Sequence, residues 1–304
     1  MSTVSYDLVM QADGEEDTSE RMFELANAPR VRFTVPVIAG AGEVIIRQDP
    51  ANETTGGCVW ETSYLLAQWA IRELEPRLKA AARGGGSTRV RCLEVGAGCG
   101  LLGLSLAAAG ADVVLTETAS AMPNLEHNVR ENPPPTSRGG SSSTQTLHWG
   151  DEAHVASARA RGPFDLLLGT DVVYVEAMVV PLMETLWSCA APSTTVWLCG
   201  QVRDPDAHAA LEREAPHWFG RVRRLQLGGF SFADELECFL MELTMPVATC
   251  LAQQPAQQLA QQPEEGKLRK KKRKKQRKQR LEEGAAASVV ADERDDRRSK
   301  KARH

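Results

Sequence analysis

The chain has 304 residues, of which 42% are hydrophobic and only 5% aromatic, so it can bury one sizeable core but must fill it mainly with aliphatic side chains. Its net charge of −4 conceals a division: residues 267–304 carry +11, with 17 Lys and Arg against 6 Asp and Glu, and residues 1–266 carry −15. The composition argues against a membrane protein, because no apolar run reaches the roughly 18 residues of a span. It argues equally against a disulfide scaffold, because the seven cysteines are odd in number and contain no Cys-x-x-Cys pair.

The N-terminus is polar and acidic, without the apolar core of a signal peptide, and residues 1–30 are expected to be a flexible extension. Two β-rich runs, 31–38 and 43–48, flank Ala39-Gly40-Ala41-Gly42 and read as a hairpin. Thr55-Gly56-Gly57-Cys58-Val59-Trp60-Glu61 then opens a helix over 61–82, with Tyr64, Leu65, Trp69 and Leu78 on its buried face and Pro76 as a point of kinking. Arg83 to Ser87 is a loop into a first strand, 90–95. A glycine turn follows, then a helix over 101–109 and a second strand over 111–117. A helix over 123–131 ends at Pro133-Pro134-Pro135. Residues 133–144 are rich in Pro, Ser and Gly and read as an exposed loop before a third strand over 144–149.

Phe164-Asp165-Leu166-Leu167-Leu168-Gly169 reads as a fourth strand leading into Thr170-Asp171-Val172-Val173-Tyr174. A helix over 177–189, a fifth strand over 194–199 and a helix over 206–218 come next, and strands over 222–226 and 237–243 close the body. Strands alternating with helices imply a mostly parallel sheet covered on both faces, and the last two strands, with no helix between them, imply an antiparallel pair. Cys92, Cys99, Cys189, Cys199 and Cys238 fall in or beside these elements and read as buried, reduced thiols, while the six histidines show no metal-ligand spacing. Past residue 247 the chain turns Gln-rich and then strongly basic, too polar and like-charged to form a core, so 248–304 is expected to be a disordered tail.

The stretch Leu93-Glu94-Val95-Gly96-Ala97-Gly98-Cys99-Gly100-Leu101 organises the rest. Strand, glycine turn and helix in that order bring backbone N–H groups close to a ligand. A dinucleotide fingerprint would need a third glycine three residues after Gly98, where Leu101 stands instead. The pattern acidic-x-Gly-x-Gly-x-Gly, beginning at Glu94, resembles motif I of the class I S-adenosylmethionine-dependent methyltransferases. The acidic residue expected at the end of the next strand is supplied by Glu117, 19 residues beyond Gly98. Four short features narrow the likeness: Gly57-Cys58-Val59-Trp60-Glu61, Trp149-Gly150, the Asp-x-x-Tyr of Asp171 to Tyr174, and the strand leading into it. Together they resemble the family-16, methyltransferase-21-like protein lysine methyltransferases over about residues 33–245.

That resemblance implies an α/β fold: a seven-stranded, doubly wound, Rossmann-like methyltransferase sheet with an antiparallel C-terminal pair, occupying 31–247, plus the N-terminal hairpin. It implies S-adenosyl-L-methionine as cofactor, with Glu94 among the residues that bind it, Gly96, Ala97 and Gly98 at its methionine end, Glu117 on the ribose hydroxyls, Trp149 by the adenine, Trp60 walling the pocket and Thr170 lining the site. Asp171 would orient the acceptor amine, and Tyr174 would shape its channel. A carboxylate at 171, where amide and base methyltransferases carry Asn, favours an aliphatic amine, hence a protein lysine. Two other readings stay open: methylation of a small molecule or of another residue such as histidine, and a non-catalytic scaffold whose tail binds nucleic acid. The basic run 267–280 would engage a nuclear import receptor or RNA, placing an intracellular protein in the nucleus, the cytoplasm or both.

Overall fold

The computed structural model describes residues 2–11, 18–36, 42–49, 55–83, 89–227, 233–234 and 236–247. In chain order these form β1 (Val4–Ser5), α1 (Tyr6–Gln11), α2 (Thr18–Asn27), β2 (Arg30–Thr34), β3 (Glu43–Arg47), α3 (Glu61–Ala82), β4 (Arg91–Val95), α4 (Leu101–Ala109), β5 (Asp112–Glu117), α5 (Met122–Glu131), β6 (Ser141–Thr146), α6 (Glu152–Arg159), β7 (Leu166–Thr170), α7 (Val179–Cys189), β8 (Thr195–Gln201), α8 (Pro205–Trp218), β9 (Phe219–Leu225) and β10 (Cys238–Pro246). The tip of the hairpin at 39–41, the glycine loop at 84–87 and the whole tail at 248–304 lie outside the described residues.

The main sheet has seven strands in the order β6-β5-β4-β7-β8-β10-β9. All neighbours from β6 to β8 are parallel, and β10 runs antiparallel to both β8 and β9. This is the expected seven-stranded α/β arrangement with an antiparallel C-terminal pair. The central strands are buried because helices cover both faces: β7 is buried at every residue and β4 at all but its first. The order reverses at β4, whose two neighbours are reached by connections running in opposite directions, and such a switch point leaves a crevice at the carboxyl ends of the strands.

Helix α4 carries no polar stripe, since all nine of its residues are buried. It lies between the sheet, α3 and β3, so no face of it meets water. Gly103 sets how close it comes: a Cβ there would collide with Glu94 Oε2 and stand 2.8 Å from Leu115. Pro76 sits inside α3 without dividing it, and Tyr64, Leu65 and Leu78 are buried as the helical spacing predicts. Trp69 is half-buried, edge-on to Trp197 at 4.8 Å.

Three expectations are corrected. The N-terminal stretch contributes elements of its own rather than a free extension: β1 pairs parallel with β2, which pairs antiparallel with β3, and Tyr6, Met10 and Leu25 are buried. Tyr6 stacks on Tyr64 of α3 at 5.1 Å, which is the physical reason the segment docks. The third strand begins at Ser141, inside the stretch read as loop, and ends before Trp149. β6 is an edge strand, held by backbone pairing from Asp112↔Ser141 to Glu117↔Thr146, so its Ser and Thr side chains need no burial and carry no apolar signal. Helix α6 was not anticipated; Asp151 caps it, accepting from the His154 N–H at 3.0 Å.

Candidate active site

A cleft of about 320 Å³ opens at the carboxyl ends of β4, β5 and β7. Its floor is the glycine turn after β4. One wall carries Glu117 and Trp149; the other carries Trp60, Thr170, Asp171 and Tyr174. The volume is in the range of small-molecule sites.

The turn end is built from positive backbone angles. Gly96, Gly98 and Gly100 have φ of +63°, +54° and +89°, a region that side-chain-bearing residues rarely enter. At Gly96 there is also no room: a Cβ would lie 2.9 Å from Val172 Cγ1 and 3.4 Å from the Trp149 indole. The Ala97 N–H donates to the Thr116 carbonyl at 2.9 Å, tying the turn to the end of β5. Glu117 completes the tie. Its Oε2 accepts from the Gly98 N–H at 3.0 Å and its Oε1 from the Thr118 N–H at 2.7 Å. Trp149 follows β6 as a half-buried indole over the turn.

The acceptor end is acidic and aromatic. Trp60 precedes the first turn of α3 in extended conformation, and Glu61 begins the helix. Asp171 follows β7 with φ of +49°, a left-handed conformation uncommon outside glycine and frequent at functional sites. Its N–H donates to the Cys199 carbonyl at 2.9 Å, which holds the strand end against β8. Its Oδ2 accepts from Thr62 Oγ1 at 2.9 Å and its Oδ1 from the Gln201 N–H at 3.1 Å. Arg203, between β8 and α8, bridges Asp171 Oδ2 and Glu61 Oε2 at 3.2 Å each, and its Cζ lies 4.3 Å from the centre of the Trp60 ring. Burial pushes the Glu61 carboxyl upward from its ordinary range, with Arg203 opposing and Asp171 adding to the shift. Burial works against the charge on Arg203, but Asp171 and Glu61 outweigh it and raise its pKa. Thr170 is buried and its hydroxyl shares a hydrogen bond of 2.8 Å with Ser63, joining β7 to α3. Tyr174 stands at the rim, 41% exposed.

Nine of the ten residues anticipated from sequence line this one cleft: Trp60, Gly96, Ala97, Gly98, Glu117, Trp149, Thr170, Asp171 and Tyr174. Glu94 does not. Its side chain is buried behind the turn, against α4, where it meets Gly103. Burial raises its pKa to about 8, with the Glu117 charge adding to the shift and the nearby Gly103 N–H lowering it without reaching hydrogen-bond geometry. Arg203 was missed altogether, because Val202-Arg203-Asp204-Pro205 reads only as a loop into a capped helix. Glu61 stood within a noted motif, but nothing in its spacing distinguished it from a first-turn carboxylate that favours the helix dipole. Asn128 of α5, which nothing in the sequence singles out, is fully buried; its amide donates to the Arg47 and Cys99 carbonyls at 3.0 and 2.9 Å, so it braces the turn from outside the cleft.

A family model described as lysine methyltransferase, family 16, matches residues 40–217. Mouse EEF1A lysine methyltransferase 3 is 34% identical over 130 residues, 42% of this chain and 53% of its own length. Mouse METTL21A, named a protein N-lysine methyltransferase, is 30% identical over 172 residues, 56% of this chain and 72% of its own length. Its Danio rerio counterpart is 35% identical over 113 residues, 37% of this chain and 50% of its own length. The matched region thus spans about half the length of two of these relatives. Among solved structures, a T. thermophilus 16S rRNA methyltransferase in complex with AdoMet and guanosine matches at 19% identity over 72% of this chain and 51% of that one, with a TM-score of 0.46, too low to bear on the assignment. The family match covers more than half of the residues, and this chain belongs to the family-16 lysine methyltransferases.

Proposed function

We propose that this chain is a protein-lysine N-methyltransferase that uses S-adenosyl-L-methionine. One observation carries the reading: a single cleft joins a glycine turn with a ribose-type carboxylate, Glu117, to an aromatic and charged end lined by Trp60, Asp171 and Arg203, with Glu61 paired to Arg203 beside it. The relatives named as lysine methyltransferases support the same reading.

The residues present fit the donor. The backbone at Gly96, Ala97 and Gly98 would hold its methionine portion at close approach. Glu117 has lone pairs left beyond the two N–H bonds it accepts, enough for a ribose diol. Trp149 and Trp60 would wall the pocket, and Thr170 would line it. When bound, the donor supplies an electrophilic methyl on a positively charged sulfur. The remaining work falls to this chain. A lysine amine is protonated at neutral pH, so it enters the site as an ammonium and must lose its proton before it can act as a nucleophile. Asp171, held at both oxygens, would orient that amine and stabilise the charge that develops on nitrogen. Desolvation of the amine on entering the site would favour loss of the proton. Tyr174 at the rim would shape the acceptor channel.

The test is transfer of tritiated methyl groups from S-adenosylmethionine into a cell lysate by the full chain, followed by mass-spectrometric identification of the labelled residue. Label on lysine in protein supports the reading; label only in small molecules, or on histidine, overturns it. Asp171→Asn should lose on the order of 100-fold in rate while its donor affinity stays close to that of the parent; full activity in that variant removes Asp171 from the mechanism.

The basic run 267–280 we infer to be a nuclear or nucleolar import signal. Composition alone supports this: lysine and arginine are dense, and the aromatic residues that stack on bases are absent from the run. Deleting 267–280 from a fluorescent fusion should move it to the cytoplasm; unchanged nuclear signal, or retained RNA-dependent retention, would reject import as its role.

A further inference from the structure

We propose that Arg203 is a resident cation in the acceptor subsite, and that an incoming lysine side chain takes its place between Asp171 and Glu61 against the face of Trp60. The inference rests on the lysine reading above and adds to it a residue that governs entry.

The layering of the site carries the argument. The Asp171 and Glu61 side chains are 6% and 13% exposed, while the Arg203 side chain that covers them is 32% exposed. The guanidinium is therefore the outer layer, and its Nη2 satisfies both carboxylates at 3.2 Å. The other two bonds of Asp171 come from the protein interior, from Thr62 and from the Gln201 backbone. Unlike Thr62 and Gln201, Arg203 lines the cleft, so this bond of Asp171 is made on the cleft side.

The aromatic contact points to the same exchange. Arg203 lies over Trp60 at cation–π distance, and an ammonium in its place would keep that attraction. A lysine approaching a pocket already filled by a guanidinium meets repulsion; a lysine that replaces it inherits two carboxylates and one aromatic face. Charge balance also explains why the free protein keeps a cation here. Two nearly buried carboxylates so close together would repel, and without a counter-ion one of them would take up a proton. Arg203 stands on the short connection from β8 to α8, and its side chain is already partly exposed to solvent.

The test uses the full chain and n-butylammonium chloride as the probe, a mimic of the lysine side chain, against sodium chloride at equal ionic strength. Binding is read by calorimetry and by quenching of tryptophan fluorescence. Arg203→Ala should bind the probe at least ten-fold more tightly than wild type, and Arg203→Ala with Glu61→Gln should lose that gain. Arg203→Met retains an apolar stem over Trp60 and should behave like Arg203→Ala if the alanine variant folds poorly. In wild type, saturating probe should shift the Arg203 side-chain nitrogen resonance to a solvent-exposed position. Equal affinity in wild type and both Arg203 variants, indifference to Glu61→Gln, or an unmoved Arg203 resonance would each overturn the proposal. None of these readouts needs methyl transfer. A chain that binds the probe as described but never methylates lysine loses the lysine-transferase reading and keeps the exchange; a chain that methylates lysine with no change on Arg203 substitution does the reverse.

Discussion

Glu117 Oε2 accepts a hydrogen bond from the Gly98 N–H at 3.0 Å, so the last residue of β5 fixes the glycine turn that follows β4. The Thr118 N–H holds the second oxygen at 2.7 Å. The carboxylate is therefore oriented before any ligand arrives, and its remaining lone pairs point to the cleft that both strands end in. Preorganisation of this kind raises affinity by removing an ordering cost from the binding step.

Glu117→Ala should weaken binding of S-adenosylhomocysteine by about 100-fold, the order expected from losing hydrogen bonds to a charged acceptor. Calorimetry measures it directly. Thermal stability should fall as well, since Gly98 loses its partner. Parent-like affinity in a folded Glu117→Ala protein would show that the ribose is held elsewhere.

The cofactor end was legible in the sequence because backbone geometry writes itself into residue identity. Positive φ at Gly96, Gly98 and Gly100 demands glycine, and one strand–helix–strand unit sets the spacing to Glu117. Helix α4 and the buried strands were legible as continuous apolar runs. What was not legible is held together by contacts between distant segments. Arg203 meets Glu61 across 142 residues of sequence, and no local pattern announces such a pairing. Glu94 looked like a ligand-facing carboxylate because of its place in the motif, but the pleat of β4 turns it toward α4. β6 was hidden by its serines, and the N-terminal elements by their polar surface around Tyr6, Met10 and Leu25.

Gly103→Ala separates packing from backbone strain, because Gly103 lies in α4 and has no positive φ. An alanine in an unconstrained helix stabilises by nearly 1 kcal/mol relative to glycine. Here the added methyl meets Glu94 and Leu115, the latter at 2.8 Å. The expected outcome is a loss of about 1–3 kcal/mol, read from the midpoint of urea unfolding. A stabilised variant would mean that α4 can move off the sheet freely.

Asn128→Ala should destabilise by about 2–4 kcal/mol, because it removes the Asn128 partner of a buried carbonyl at Cys99 and of part-buried backbone groups at Arg47. The side chain donates to the carbonyls of Arg47 and Cys99 at 3.0 and 2.9 Å and accepts from the Arg47 N–H at 2.9 Å. Cys99 belongs to the glycine turn, so donor affinity should fall together with stability. Asn128→Asp keeps the acceptor and loses both donations. It should be worse than alanine above neutral pH, where a buried carboxylate would face two carbonyls; chemical denaturation of both variants at pH 6 and pH 8 checks the ranking.

Glu94→Gln should remove a pH dependence of stability. In the folded chain burial raises the Glu94 pKa to about 8, so the carboxyl is neutral through most of the physiological range. In the unfolded chain it ionises near 4.3. Between those values the unfolded state has released a proton that the folded state keeps, so unfolding is favoured increasingly as pH rises. The neutral group's full contribution is present below the unfolded pKa and is lost as pH climbs through the folded one. The slope is about 1.4 kcal/mol per pH unit over that window, and the total loss is a few kcal/mol. Glutamine cannot ionise and should flatten this component: wild type and Glu94→Gln should differ little at pH 5, and the variant should be the more stable at pH 8 and above. Urea midpoints across pH 5 to 9 measure it, and parallel curves for the two proteins would mean that Glu94 is already ionised in the fold.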